Sequence, residues 1–202
     1  MRACILMGSP RKNGNTIKLT DSFVEAMKEN GVECELIWLY DKDVRPCTAC
    51  RVCQDKLTEF GCPQKDDMHE IFDKVLECDL LILATPIYSW YCTPPLKAAL
   101  DRLVYGMNKY YGKEKGSALW QGKRLAMIAT CGYKQSYGTD LWEQGIIRYC
   151  KHSALKYEGM LAERDMGYTK EFMDSEKELH ARQFADRLAA VMPAEPTEDK
   201  CK

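Results

Sequence analysis

The chain has 202 residues, of which 46% are hydrophobic and 29% are charged, as is usual for one folded globular domain. Its 29 basic and 30 acidic residues leave a net charge of −1, which argues against nucleic acid as a partner. Apolar runs such as Ala3–Met7 and Leu80–Ala84 are too short for a membrane span or, near the N-terminus, for a secretory signal. We therefore expect a cytoplasmic protein with a single domain over residues 1–193 and a disordered tail over residues 194–202.

Short apolar runs alternate with segments of helical periodicity along the chain. The predicted strands are Arg2–Met7, Glu33–Leu39, Asp79–Ala84, Arg124–Thr130 and Leu155–Leu161. The predicted helices are Thr16–Asn30, Asp67–Glu77, a third that begins at Thr93 and Pro94, Asp140–Lys151, and a last one that opens with a capping box, Ser175 and Glu178, and stops before Pro193. Strict alternation favours right-handed crossovers, so the predicted fold is an α/β three-layer flavodoxin-like sandwich with a five-stranded parallel sheet of order 2-1-3-4-5.

Two connections, Tyr40–Lys65 and Tyr105–Gln121, are longer than the loops of compact α/β domains usually are. Loops of this length are commonly functional. We expect both to elaborate a ligand site or a subunit interface.

The segment from Gly8 to Thr16 lies between the first predicted strand and the first predicted helix. Its glycines, cations, hydroxyls and amides at a helix N-terminus favour a bound phosphate. It is not a nucleoside triphosphate loop, because five residues separate Gly8 from Gly14 and Asn15 stands where that motif requires lysine. A phosphate monoester is the expected ligand; the alternative is a polar turn in which Asn15 or Thr16 only caps the helix.

Aromatic and small residues follow the third and fourth predicted strands. Tyr88, Trp90 and Tyr91 put three aromatic rings within four residues, a pattern typical either of an interface or core cap or of contact with a flat ligand. The fourth strand ends in Cys131 and Gly132, where a backbone can approach a ligand closely. Together with the phosphate loop, these strand ends predict a mononucleotide with an aromatic head group, and FMN fits best.

The segments GSPRKNGNT, DDM at 66–68, TPIYSW and LKAALDR at 96–102 occur in this order in most of the first 135 residues. In these motifs the chain resembles the flavodoxin-like NAD(P)H-dependent FMN reductases. The resemblance implies that FMN accepts a hydride from NAD(P)H and passes electrons to a second small-molecule acceptor, in a homodimer or homotetramer. The cofactor-binding residues it implies are Ser9, Arg11, Asn13, Asn15 and Thr16 at the phosphate, Pro86, Ile87, Tyr88, Ser89 and Trp90 along the ring and ribityl chain, and Cys131 and Gly132 beside the ring. No side chain is singled out as a general acid or base.

Eleven cysteines are unusual for a chain of this length, and in a reducing compartment they are not expected to form a disulfide framework. Most of these cysteines are expected to be small buried hydrophobic residues. Four lie together in the first long connection: Cys47, Cys50, Cys53 and Cys62. Such spacing suits a [4Fe–4S] cluster or a tetrahedral zinc ion, and a redox dithiol at Cys47 and Cys50 or unliganded thiols are further alternatives.

The resemblance narrows to the iron-sulfur flavoproteins of the same family, whose cysteine motif occupies this loop, although eight residues separate Cys53 from Cys62, a longer gap than that motif has. It implies a second possible function, an electron relay between FMN, a [4Fe–4S] cluster and a ferredoxin-like partner. A zinc-stapled binding module without catalytic activity is the alternative from another functional class.

Overall fold

The computed structural model describes residues 1–167 and 170–191, which form a five-stranded parallel sheet covered by helices on both faces. The strands are β1 Arg2–Met7, β2 Glu33–Trp38, β3 Leu80–Pro86, β4 Arg124–Cys131 and β5 Lys156–Arg164. The helices are α1 Asn15–Glu29, α2 Met68–Glu77, α3 Pro94–Met107, α4 Gln135–Gly138, α5 Asp140–His152 and α6 Ser175–Ala190. The sheet order β2-β1-β3-β4-β5 confirms the predicted three-layer fold.

Two hydrophobic cores lie on opposite faces of the sheet. On β1, Ile5 packs with α1 and α6 on one face, while Leu6 packs with α2 and α3 on the other. The central strands β3 and β4 are buried along almost their whole length, as expected for parallel strands covered on both sides. No helix in the described ranges is long and apolar enough to cross a membrane.

The structure corrects several predicted boundaries. The residue that caps α6 is Asp174, whose carboxylate accepts a hydrogen bond of 2.9 Å from the Lys177 amide, so the predicted capping box at Ser175 and Glu178 was wrong. Strand β5 continues to Arg164, three residues beyond its predicted end. The short helix α4 was not predicted. The tail predicted to be disordered, residues 194–202, lies outside the described residues, as does Pro193.

The two long connections pack against each other. The first contains two 3₁₀ turns, Leu39–Asp41 and Val52–Asp55. Backbone groups of the second connection form hydrogen bonds with the buried side chain of Gln54. Gln54 Nε2 donates to the carbonyl of Asn108 at 2.9 Å, and its Oε1 accepts from the amide of Tyr111 at 2.9 Å. These bonds make the two loops one structural unit beside the C-terminal half of α3.

Replacement of Gly106 by alanine tests this unit. Gly106 lies in α3, and a Cβ there would overlap the ring of Phe60, which stacks on Phe72 with ring centroids 4.5 Å apart. Overpacking outweighs the helix propensity that alanine adds, so we expect Gly106→Ala to lower the free energy of unfolding by about 1–3 kcal/mol, measured by urea denaturation. Gly145→Ala in α5 is the matched control, since its Cβ meets only the hydroxyl end of Tyr91 at 3.2 Å. A Gly106→Ala protein as stable as the original would contradict this packing.

Candidate functional site

A pocket opens at the carboxyl ends of β1, β3 and β4. Its volume is about 190 Å³. It is lined by Ser9, Pro10, Arg11, Gly14, Asn15, Thr16, Pro86, Ile87, Tyr88, Thr130, Cys131, Gly132 and Asp165. Three loops that are far apart in the sequence therefore meet in one cavity.

The loop between β1 and α1 is held by contacts that need glycine. The Gly8 amide donates to the carbonyl of Ala84 at 2.8 Å, and the Thr93 hydroxyl donates to the carbonyl of Gly8 at 2.6 Å. A Cβ on Gly8 would lie 2.8 Å from the Thr93 hydroxyl oxygen, and one on Gly14 would lie 2.9 Å from Cβ of Arg11. The loop is thus fixed against the sheet in a conformation that larger residues cannot adopt without displacement.

The N-terminus of α1 faces this pocket without a side-chain cap. The N-cap residue is Gly14, and the first turn of the helix carries no acidic residue. Asn15 and Thr16 belong to that turn, so the alternative in which one of them only caps the helix is wrong. Thr16 is buried and shares a hydrogen bond of 2.7 Å with the hydroxyl of Thr130 at the end of β4. The free amides and the helix dipole suit an anionic group such as phosphate.

A tight turn follows β3 on the other side of the pocket. Tyr88 and Tyr91 exchange two backbone hydrogen bonds of 2.9 and 3.0 Å, and the two residues between them have positive φ, 49° at Ser89 and 64° at Trp90. Two residues other than glycine in the left-handed region store backbone strain, which is common at functional sites. The turn stacks the Trp90 ring on Tyr133 at 5.8 Å, with the ring planes 9° apart.

The end of β4 supplies the third wall. Burial raises the pKa of Cys131, so this thiol stays protonated at neutral pH and donates a hydrogen bond of 3.3 Å to the carbonyl of Tyr133. The carbonyl of Cys131 accepts from the amide of Asp165 at 2.8 Å, which brings the end of β5 to the rim of the pocket.

The structure brings together most of the residues that the resemblance implied for the cofactor. The ones that line the pocket are Ser9, Arg11, Asn15, Thr16, Pro86, Ile87, Tyr88, Cys131 and Gly132. Asn13, whose side chain is exposed, does not line it, nor do Ser89 and Trp90. Thr130 and Asp165 were missed: Thr130 could have been found as the last residue of its predicted strand, whereas Asp165 lies beyond the end predicted for β5.

A second pocket contains all four clustered cysteines. Cys47, Cys50, Cys53 and Cys62 line it together with Thr48, Ala49, Arg51, Phe60, Pro63, Gln64, Arg102 and Tyr105. The backbone is left-handed at Ala49 and Arg51, and the Ala49 amide donates to the sulfur of Cys47 at 3.4 Å. No three cysteine, histidine or carboxylate side chains in residues 1–167 and 170–191 are gathered closely enough to hold a metal ion in this conformation.

A buried ion pair borders the cysteine pocket. Arg102 donates to both carboxylate oxygens of Asp66, at 2.7 and 3.0 Å, and the two side chains are 1% and 0% exposed. Burial alone would raise the pKa of Asp66, but the bonds from Arg102 and from the Arg45 and Met68 amides hold it below its usual value. The Arg102 Nε atom is buried without a hydrogen-bond partner in the part of the chain that the structure describes, and Cys62 lies beside this guanidinium.

A family model described as NADPH-dependent FMN reductase matches residues 1–140. The chain belongs to this family. An iron-sulfur flavoprotein of Methanocaldococcus jannaschii is 39% identical over 102 residues, which are 50% of this chain and 51% of that protein. An iron-sulfur flavoprotein of Methanosarcina thermophila is 37% identical over 124 residues, 60% of this chain and 63% of that protein. The chain thus spans about half to three fifths of the length of these curated relatives.

Solved structures of flavoproteins share the fold. RosB with bound 8-demethyl-8-formylriboflavin-5'-phosphate matches with a TM-score of 0.71 and 18% identity, over 94% of this chain and 76% of that one. An FMN-dependent NADH-azoreductase from Bacillus anthracis in complex with FMN matches with a TM-score of 0.69 and 18% identity, over 94% of this chain and 100% of that one. At these sequence identities, the similarity to the two solved structures shows only that this member of the FMN reductase family shares their fold.

Replacement of Asp66 by asparagine tests the buried ion pair. It leaves the Arg102 guanidinium buried without its counter-charge, so we expect a loss of about 3–5 kcal/mol in the free energy of unfolding at pH 7. Asp43→Asn is the control, because the Asp43–Arg45 pair is exposed and should contribute less than about 1 kcal/mol.

The same variant makes a prediction about pH. The folded pKa of Asp66 is lowered, so its stabilising effect is present above the ordinary aspartate pKa of about 3.9 and is lost as the pH falls through the folded value. The stability difference between the original protein and Asp66→Asn should therefore shrink in urea denaturation experiments as the pH is lowered from 6 to the acid limit of folding. A difference that stays constant over this range would show that the charge of Asp66 is not what stabilises the fold.

Proposed function

We propose that the chain is an FMN-dependent oxidoreductase that takes a hydride from NAD(P)H and passes electrons to a second small-molecule acceptor. The observation that carries this proposal is the uncapped N-terminus of α1, which opens into the pocket formed by the ends of β3 and β4. The family to which the chain belongs and the flavins bound in the structural neighbours support the same cofactor.

The residues of the pocket fit FMN. The cradle at Gly8 and Gly14 has no room for a Cβ, the first turn of α1 holds no acidic residue, and Arg11 adds a positive charge beside it. Ser9, Asn15 and Thr16 are therefore assigned to the phosphate. Binding of the phosphate at one end of the ligand would fix the orientation of the rest of the molecule in the pocket.

Bound FMN would supply the hydride chemistry, and the protein's part is to bind, orient and shield it. Pro86 and Ile87 present apolar surface to one side of the pocket, with Tyr88 at its rim. Cys131 borders the opposite side as a neutral thiol, because burial raises its pKa. The strained turn at Ser89 and Trp90 holds the β3 wall in a fixed shape, so little reorganisation is needed when a ligand enters.

A glutamate at position 15 tests the phosphate assignment. Asn15→Glu places a negative charge at the uncapped helix end, so we expect FMN affinity to fall at least about tenfold, as for other losses of a charge-assisted contact. FMN per chain after gel filtration and quenching of flavin fluorescence measure this effect. Asn13→Glu makes the same change at an exposed side chain outside the pocket and should weaken binding much less. Equal losses in both variants would refute direct contact by Asn15.

A second function is favoured by the convergence of four cysteines on one pocket. We propose that Cys47, Cys50, Cys53 and Cys62 bind a [4Fe–4S] cluster and that the chain relays electrons between FMN, this cluster and a ferredoxin-like partner. The orphaned Nε of Arg102 beside Cys62 fits an anionic sulfur ligand in this pocket. The curated relatives named as iron-sulfur flavoproteins support the same group.

Metal analysis of anaerobically purified protein tests the relay. We expect iron and acid-labile sulfide in the full chain, and loss of both in Cys53→Ser. Cys34→Ser is the control, because this half-buried cysteine of β2 lies outside the cysteine pocket. Zinc in place of iron would support the metal-stapled module, and a metal-free protein with FMN and NAD(P)H oxidation would leave only the first function.

A further inference from the structure

Lys109 is fully buried next to the cysteine pocket. Its side chain is 0% exposed, and its ammonium donates to the carbonyls of Cys53 at 3.0 Å and Glu59 at 2.7 Å, with a longer contact of 3.5 Å to the carbonyl of Phe60. All three acceptors are uncharged and belong to residues 47–62, the segment that carries the four clustered cysteines and is called the cysteine loop below. Lysine is rarely buried completely unless it is paired.

The surroundings of Lys109 provide no buried carboxylate to balance its charge. The carboxylate of Asp66 is already engaged by Arg102, so that pair contributes no net charge. Glu59, which acts on Lys109 electrostatically, has an exposed carboxylate that pairs with Lys56 at 3.6 Å. Within residues 1–167 and 170–191, no carboxylate lies within salt-bridge distance of the Lys109 ammonium. A buried cation without a counter-charge is costly.

The position of Lys109 is fixed by a buried network in the second long connection. The preceding residue, Asn108, accepts a hydrogen bond of 2.8 Å from the Trp120 indole and donates one of 3.0 Å to the hydroxyl of Ser153. The carbonyl of Lys109 itself accepts from the amide of Gly116 at 2.7 Å. The backbone is held on both sides, and the ammonium is therefore directed at the cysteine loop without freedom to turn towards solvent.

We propose that Lys109 is the counter-charge of the four-thiolate site. This inference rests on the proposed iron-sulfur function. Four thiolates outweigh the positive charge of a cluster core, so the loaded site is anionic, and one-electron reduction makes it more so. A fixed cation beside Cys53 stabilises both forms and the reduced form more, which raises the reduction potential and retains the iron. Lys109 is thus a positioning residue that acts through Cys53 and its loop.

Neutral and charged replacements of Lys109 separate the charge from the hydrogen bonds. Lys109→Gln removes the charge but keeps an N–H donor, whereas Lys109→Arg keeps both. Lys123→Gln is the matched control, because Lys123 also donates to backbone carbonyls, those of Leu76 and Cys78, but lies outside the cysteine pocket. The full chain is loaded with iron and sulfide anaerobically. We then measure the rate at which a chelator removes iron. The reduction potential is measured by titration with dithionite, monitored by electron paramagnetic resonance.

We expect Lys109→Gln to lose iron about tenfold faster and to titrate at a more negative potential, as expected when a group that supports a metal ligand is removed. Lys109→Arg should restore both properties, and Lys123→Gln should match the original protein. The counter-charge role would be overturned if Lys109→Gln kept the reduction potential and iron retention of the original protein. It would also be overturned if the Gln and Arg variants lost iron equally fast. Either result would leave the relay intact. An unaltered chain that takes up no iron would instead overturn the relay and this proposal with it.

Discussion

All three walls of the larger pocket depend on the parallel pairing of β1, β3 and β4. Because the three strands run in one direction, their carboxyl ends meet at one edge, and the loops that follow them converge. Two hydrogen bonds then tie the loops to each other: the Thr93 hydroxyl binds the Gly8 carbonyl, and the Thr16 hydroxyl binds Thr130. The apolar strand cores thus do more than stabilise the fold, since their register sets the spacing between the loop at residues 8–16 and the turn at residues 88–91.

The cysteine pocket combines apolar packing with buried charge, because Phe60 and Tyr105 line it together with Arg102. A buried ion pair such as Arg102–Asp66 is weak support for stability, since the desolvation of both groups offsets much of their attraction. The Lys109 ammonium, which has only backbone carbonyls as partners, adds a further cost. Unlike Arg102, Lys109 has no carboxylate partner among the described residues, so its charge is the one that an anionic occupant of the proposed cysteine site would balance.

The sequence predicted the sheet correctly because strand patterns are local, and the proposed phosphate loop was also inferred from a local pattern. Apolar runs mark the strands, and the glycines and polar residues before α1 mark an anion site. The failures concern contacts between distant segments. Asp165 reaches the pocket only because β5 continues to Arg164, and the exposure of Asn13 depends on how the loop turns around Gly14. The burial of Lys109 follows from docking of one long loop on another, and no local periodicity reports such docking.

Helix α3 connects the two pockets. Its N-cap residue, Thr93, holds the loop that begins at Gly8, and its later turns carry Arg102 and Tyr105 to the cysteine pocket. At 1.5 Å per residue, the nine residues from Thr93 to Arg102 separate these anchors by roughly 14 Å along the helix axis. One rigid element therefore sets the geometry of both pockets, and the region matched by the family model, residues 1–140, contains it entirely. A change that moves α3 as a body would therefore alter both pockets together, because Thr93 and Arg102 lie on the same helix axis.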